Sequence, residues 1–147
     1  MAECLQRQAL NDLEVMVLTN SRNKGLRFEL QVAHLIEDEL GIKLYRDLEQ
    51  TRTADHGDLI SSDPSWPFCI ECKRYATGYL PKKEWWDQVI TASEAVRKIP
   101  ILVYKFDRLP IRVRVPIDFV QLKKAYDKRY VADLDFPTFC YLAREIL

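Results

Sequence analysis

The sequence predicts an α/β fold in which a mixed β-sheet is flanked by helices, with extra helices at the N- and C-terminal ends. The chain has 147 residues, a length that suits one compact domain with its own core. Apolar residues make up 48% and charged residues 30%, an ordinary balance for a globular domain. Segments with helical periodicity stand at both ends, and short alternating or apolar segments lie between them.

The individual elements follow from periodicity and from the residues that end helices and turns. Helices are expected at 4–19, 24–40, 81–98, 119–127 and 137–147, with a polar break at 20–23. Gly41 is suited to end the second helix, and Pro81 to begin the third. Strands are expected at 42–48, 58–61, 68–75, 101–106 and 111–115. The order α, α, β, β, β, α, β, β, α, α favours a mixed sheet with helices on its faces.

Composition and charge limit the classes of protein. The formal net charge is zero, so composition alone gives no support to a nucleic-acid partner, although basic residues cluster locally. The longest apolar stretch, Ile99 to Tyr104, is too short to cross a bilayer. The first residues show no basic segment followed by an apolar run. We therefore expect a cytoplasmic protein that does not associate with membranes.

Glu29 is the first residue that does not fit its surroundings. On a helical wheel of about 100° per residue, it falls in the middle of the apolar arc of the 24–40 helix. An isolated carboxylate that faces a core is unfavourable by several kcal/mol unless it is paired or binds a cation. Either a buried ion pair or a polar site on the sheet would explain Glu29.

An acid and a lysine stand two residues apart on the 68–75 strand. Alternation places Cys69, Glu71 and Lys73 on one face, and Phe68, Ile70 and Cys72 on the other. The two sulfurs of Cys69 and Cys72 therefore point apart, which argues against a shared metal. Taken alone, Glu71 and Lys73 would also suit an ion pair on an exposed face.

Asp58 begins the short strand just before Glu71 and Lys73. A turn residue would be the ordinary interpretation of this aspartate. If the two strands form a hairpin, Asp58 and Glu71 converge. Together with a backbone carbonyl, they would then suit Mg²⁺, which prefers oxygen ligands. Lys73 beside them would orient an attacking water or stabilise charge on a phosphoryl group.

At these residues the sequence resembles the PD-(D/E)XK nuclease superfamily, and within it the archaeal-type Holliday junction resolvases and related phage endonucleases. The matching segments are KGLRFELQVAHLI, KLYR, GDLI, FCIECKRY and ILVYKF, between Lys24 and Phe106. The resemblance implies a restriction-endonuclease-like fold. It implies one nuclease domain over 1–147, with a family-like core at about 22–115 and a C-terminal helical extension at about 116–147.

The resemblance also implies roles for individual residues. The catalytic set would be Glu29, Asp58, Glu71 and Lys73. The metal ligands would be Asp58, Glu71 and the Cys72 carbonyl, with Glu29 at a second ion or its water. Gln88 is the candidate supporting residue on the following helix, although a buried amide would fit it equally well. The predicted DNA contacts are Lys24, Arg27, Arg46, Arg52 and Arg74.

The function implied is a Mg²⁺-dependent endonuclease that cuts branched DNA, with Mn²⁺ able to substitute. A homodimer is expected, because resolvases of this kind cut two strands symmetrically. Trp85 and Trp86, or the C-terminal helix with Phe139, would form the interface, unless both serve the domain's own core. Two alternatives remain open: a nicking, repair or restriction-like nuclease on duplex DNA, and a non-catalytic DNA-binding module on the same fold.

Overall fold

The computed structural model describes residues 2–47, 57–123 and 126–147, and their side chains from residue 20 onward. Four helices and six strands make up this part of the chain. Their order is α1 (Ala2–Leu40), β1 (Tyr45–Arg46), β2 (Leu59–Ile60), β3 (Phe68–Tyr75), α2 (Lys83–Val96), β4 (Ile99–Phe106), β5 (Arg112–Pro116), α3 (Ile117–Val120), β6 (Val131–Asp135) and α4 (Phe136–Ile146).

The six strands form one mixed sheet in the order β1-β2-β3-β4-β5-β6. The pair β3–β4 is parallel, with Glu71 opposite Leu102, and α2 makes the crossover between these two strands. The other four pairs are antiparallel. The hairpin expected between β4 and β5 is present, and Leu109 donates to the Phe106 carbonyl in its turn.

Helices cover both faces of the sheet, which confirms the predicted fold class. On one face, α1 and α4 bury a core that includes Phe28, Ile36, Phe68 and Phe139. On the other face, α2 packs with its two tryptophans against Cys69, Leu102, Tyr104 and Phe106. Residues of β3 alternate between these two cores, as the period of a strand requires. Cys69 and Cys72 consequently face opposite sides, as predicted.

The first helix differs from the prediction. α1 runs without interruption from Ala2 to Leu40, so the break expected at 20–23 is wrong. Asn20 and Asn23 are weak helix formers, but their side chains line a polar pocket beside Lys24 instead of ending the helix. The predicted end is confirmed, because Gly41 has φ +69° and donates to the Glu37 carbonyl.

The C-terminal part also differs from the prediction. Strand β6 lies between the helices expected at 119–127 and 137–147, within the extension expected to be helical, and it pairs with β5, with Asp133 opposite Arg114. Among the described residues of the helix expected at 119–127, only 119 and 120 are helical, at the end of α3. The last helix starts at Phe136, where the Asp135 side chain accepts from the Thr138 N–H. β1 has two residues instead of the seven expected at 42–48.

Two further features bear on the expected partners. Trp85, Trp86 and Phe139 are buried in the domain's own cores, so the structure gives them the packing role that the sequence left open. Among the described residues, no helix has the length and apolar character needed to cross a bilayer.

Candidate active site

Asp58 and Glu71 lie side by side because β2 and β3 run antiparallel. Leu59 is opposite Ile70, so the preceding Asp58 and the following Glu71 are neighbours across the strands. The Asp58 N–H donates to the Ile70 carbonyl at 2.8 Å, and its Oδ2 accepts from the Cys72 N–H at 2.7 Å. These bonds fix both the backbone and the carboxylate of Asp58 against β3.

Gly57 allows this approach. Its φ is +73°, and a Cβ at this position would lie 2.7 Å from the Ile70 carbonyl oxygen. A side chain would therefore meet backbone that cannot move away without breaking the strand pair. The glycine is thus a feature of how this chain positions Asp58.

Glu71 is held by two side chains on the α2 face. Its Oε1 accepts from Nε2 of Gln88 at 2.7 Å and lies 3.8 Å from Nζ of Lys73. The Glu71 side chain is only 2% exposed, whereas Lys73 keeps 23% exposure. The structure therefore brings Gln88 to the site and leaves part of the Lys73 side chain exposed to solvent.

Burial makes Glu71 an unusual acid. Loss of water contact, and then the charge of Asp58, raise its pKa from 4.5 to about 8, although Lys73 opposes the shift. A buried pair of carboxylates is unfavourable when both are ionised. The pair therefore favours a bound proton or a bound cation.

Glu29 reaches the same group of charges from α1. Its Oε2 accepts from Nε of Arg46 at 2.6 Å. Burial raises the pKa of Glu29, the Arg46 hydrogen bond lowers it, and Asp58 raises it further. The ion pair considered for Glu29 is therefore present, and the charges of Asp58 and Lys73 also act on the Glu29 carboxylate. Arg46, expected to contact DNA, donates to Glu29 here.

The donor set fits a hard divalent cation in its chemistry. Asp58 and Glu71 supply carboxylate oxygens, and the Cys72 carbonyl projects from the same strand edge as the N–H that binds Asp58. Magnesium is held in many proteins by one or two carboxylates and several waters. Within the described ranges, no three Asp, Glu, His or Cys side chains are grouped closely enough to form a metal site by themselves.

A second feature of the structure is a pocket lined mainly by basic residues. Asn20, Asn23, Lys24, Arg27 and Arg74 line a cavity of about 360 Å³ between α1 and the end of β3. Three of the predicted DNA contacts, Lys24, Arg27 and Arg74, are therefore brought together. Arg52, the remaining one, lies outside the described residues.

Asp107 is a residue of this region that the sequence analysis missed. It follows β4, and its carboxylate binds Nζ of Lys24 and, at 3.3 Å, Nε of Arg74. These contacts, Lys24 first, lower the pKa of Asp107. An aspartate before a turn is an ordinary turn residue in the sequence. The parallel pairing of β3 with β4 is the signal that would have placed Asp107 near Arg74.

An acid pair and a lysine on adjacent strands of a mixed α/β sheet are the features by which PD-(D/E)XK nucleases are recognised. The family model described as "Phage putative PDDEXK endonuclease" matches residues 20–138. The chain belongs to this family of nucleases, which confirms the superfamily that the sequence predicted.

Comparison with solved structures found a similarity to Archaeoglobus fulgidus Hjc, a Holliday junction resolvase from an archaeal hyperthermophile. The identity is 18% and the TM-score is 0.47, over 79% of this chain and 87% of that chain. The search of curated proteins found no match.

Proposed function

We propose that this protein is a Mg²⁺-dependent endonuclease that hydrolyses phosphodiester bonds in branched DNA. The observation that carries the proposal is the buried acid pair. Glu71 and Asp58 are 2% and 6% exposed, and Glu71 resists ionisation. Two adjacent buried carboxylates are unfavourable unless a cation neutralises them. In an endonuclease family, the expected role of such a cation is to assist phosphodiester hydrolysis.

The residues suited to hold the ion are Asp58, Glu71 and the Cys72 carbonyl, with Glu29 near a second ion or its water. Oxygen ligands suit Mg²⁺, and Mn²⁺ accepts the same set. When bound, such an ion offsets charge on the phosphate and lowers the pKa of a water molecule.

The remaining side chains would position the acids and the attacking water and stabilise charge on the phosphoryl group. Lys73 extends from the buried acids towards solvent, where its Nζ would orient the attacking water and donate to a phosphoryl oxygen as charge develops. Gln88 holds Oε1 of Glu71, so the other oxygen of that carboxylate keeps a fixed direction. Arg46 holds Glu29 in the same manner.

The basic pocket would hold a second phosphate of the DNA. Arg27 supplies charge together with Lys24 and Arg74, which share the one Asp107 carboxylate, and the Asn20 and Asn23 amides supply hydrogen-bond donors. Contacts of this kind fix the register of a nucleic acid without reading its sequence. Arg46 and Arg52 are proposed to bind DNA as well.

Branched DNA is favoured as the substrate by the ordered set of residues that resembles archaeal-type resolvases. Symmetric cutting of a junction needs two active sites, so a homodimer belongs to the proposal. A DNA substrate also places the activity in the cytoplasm. The competing function is a nicking, repair or restriction-like nuclease, which the same chemistry would serve on duplex DNA.

One gel experiment tests the proposal. The purified protein is incubated with a four-way junction, a Y-fork, a nicked duplex and a linear duplex, in Mg²⁺ and in EDTA. Paired cuts in the junction that require Mg²⁺ support it. Equal cutting of linear duplex supports the duplex nuclease instead. Binding to DNA without any cutting, in Mg²⁺ or Mn²⁺, would show a non-catalytic module.

Variants assign the activity to this site. Asp58→Ala and Lys73→Ala are expected to abolish cutting while DNA binding persists, since each removes chemistry rather than the basic pocket. Glu145→Ala, an exposed acid on α4, serves as the control and should cut like the wild type. Full activity in either site variant would show that the active site lies elsewhere.

A further inference from the structure

The loop 76–82 follows the strand that carries Glu71 and Lys73, and it leads into α2. Two adjacent large side chains stand at its tip. Tyr79 is 65% exposed and Leu80 is 62% exposed. Single exposed apolar side chains are common on protein surfaces, whereas two adjacent ones form a contiguous patch, which is the more informative observation.

The backbone on both sides of the tip is fixed. Gly78 has φ +139°, and a Cβ there would lie 2.4 Å from the Phe106 ring, so the loop rests directly on that ring. Before the tip, Tyr75 packs against Trp85 with ring centroids 4.6 Å apart. After it, Pro81 is buried. Tyr79 and Leu80 are therefore presented by a supported loop.

The loop begins on the face of β3 that carries Glu71 and Lys73, because Tyr75, the last residue of the strand, shares that face. Lys73 and Tyr75 are two residues apart on β3, a rise of about 6.6 Å, and the loop continues from there. Lys73 lies before the loop on this face, and its side chain keeps 23% exposure. Nζ of Lys82 lies 5.2 Å from the Tyr75 ring. Positive charge on both sides favours a nucleic acid as the occupant.

We propose that Tyr79, supported by Leu80, stacks on an unpaired or unstacked base of branched DNA beside the phosphate that is cut. This inference rests on the proposed function and deepens it, because it names the feature of the substrate that is recognised. Bases within a linear duplex already stack on each other and offer no free face. A branch point, flap or fork exposes one, and aromatic side chains bind such faces without regard to sequence.

A binding experiment without cleavage tests the stacking. The probe is a four-way junction or a Y-fork with 2-aminopurine at the branch, mixed with protein in EDTA. Wild type and Tyr79→Phe are expected to quench the fluorescence, and Tyr79→Ala to lose more than half of the quench. Tyr141→Ala is the matched control, since Tyr141 on α4 is 64% exposed and should leave the quench intact.

A cleavage experiment tests the consequence. Tyr79→Ala is expected to lower the ratio of branched to linear cutting about ten-fold, in line with the loss of one base–aromatic stack. Tyr79→Phe should restore the ratio to within two-fold of the wild type, and Leu80→Ala should lower it less than Tyr79→Ala.

The outcomes separate this inference from the proposed function. If the wild type cuts branched DNA and Tyr79→Ala keeps both the fluorescence quench and the ratio of branched to linear cutting, the stacking inference is wrong. The proposed nuclease function is then unaffected. If the wild type cuts nothing, the nuclease fails, and the quench in EDTA still decides the stacking. Loss of a sedimenting dimer in Tyr79→Ala with an unchanged quench would assign the tip to a protein contact and overturn the inference.

Discussion

Glu71 and its neighbours make the stability of the metal-free protein depend on pH. Its pKa is about 8 in the folded chain, against 4.5 for an ordinary glutamate. Below about pH 4.5 both the folded and the unfolded chains carry the proton, and the favourable contribution is complete. Between 4.5 and 8 only the unfolded chain ionises, so this contribution is lost as the pH rises. In EDTA, we expect the Tm of the wild type to fall across this interval.

Glu71→Gln isolates the effect, because glutamine keeps the acceptor for Gln88 and has no proton to release. Its Tm measured in EDTA should change less between pH 5 and 8 than that of the wild type. Addition of Mg²⁺ at pH 8 should raise the Tm of the wild type and not that of the variant. Parallel profiles for the two proteins would contradict the assigned cause.

Two glycine-to-alanine changes should have opposite effects. Gly57→Ala places a Cβ against the Ile70 carbonyl at positive φ, and we expect it to lower the free energy of unfolding by about 2 kcal/mol. Gly25 lies inside α1 with nothing within 4 Å of a Cβ, so Gly25→Ala should raise it by about 1 kcal/mol. Urea unfolding measures both, and equal shifts would refute the conformational argument.

Sequence patterns identify some residues of the candidate site better than others. Glu29 is conspicuous because helical periodicity places a charge on an apolar face, and the structure surrounds it with Arg46, Asp58 and Lys73. Asp107 gives no such signal, because its partner Lys24 lies 83 residues away in the chain. A local pattern reveals a residue whose charge does not suit its position in a helix or strand. A residue whose partners are distant in the chain can be identified only when the fold is known.

Among the elements, β6 shows why a strand can escape detection. Its sequence is VADLD, and its two aspartates face Arg112 and Arg114 of β5. Charged residues usually indicate a loop when they occur in so short a segment. The alternation has meaning only once β5 is known to lie beside it. By contrast, β3 and β4 are apolar enough to be predicted without their neighbours.

The β5–β6 pairing should be measurable as a coupling between side chains. Arg114 donates to both oxygens of Asp133, and the Tyr104 hydroxyl donates to Oδ1. Asp133→Ala leaves both donors without this acceptor in a half-buried place, and we expect it to lower the free energy of unfolding by about 2 kcal/mol. A double-mutant cycle with Arg114→Met should give a coupling of about 1 kcal/mol.

An exposed pair on α2 provides the comparison for that cycle. Nζ of Lys83 lies 2.6 Å from Oδ2 of Asp87, four residues further along the helix, and both side chains are exposed to solvent. Exposed pairs of this type contribute little to stability, because water screens the two charges. A coupling for Arg114 and Asp133 no larger than that of the exposed pair would mean that β6 is held by its apolar face alone.

For the whole molecule, zero net charge conceals an uneven distribution. Lys24, Arg27 and Arg74 are collected at one end of the sheet. Affinity for duplex DNA should therefore fall with salt, although less steeply than for a basic protein.

A variant of the pocket tests this expectation. Arg27→Ala should reduce the slope of log affinity against log salt by about 1. Arg129→Ala removes an exposed arginine that pairs with Asp127 and should leave the slope unchanged. Fluorescence anisotropy at several salt concentrations measures the slope for the wild type and the two variants. Equal slopes for these three proteins would exclude the pocket as the DNA contact.

The shortness of β2 has a consequence for how the sheet is protected. In the described part of the chain, β2 pairs with β3 at Ile70 and does not cover the strand beyond it. Open strand edges invite another chain to pair and aggregate. Here the Asp58 carboxylate takes the Cys72 N–H that a further strand would otherwise accept. The same aspartate that is suited to hold a cation therefore also occupies a hydrogen-bond donor at this edge, so Asp58→Ala would leave the Cys72 N–H without this acceptor as it removes a ligand.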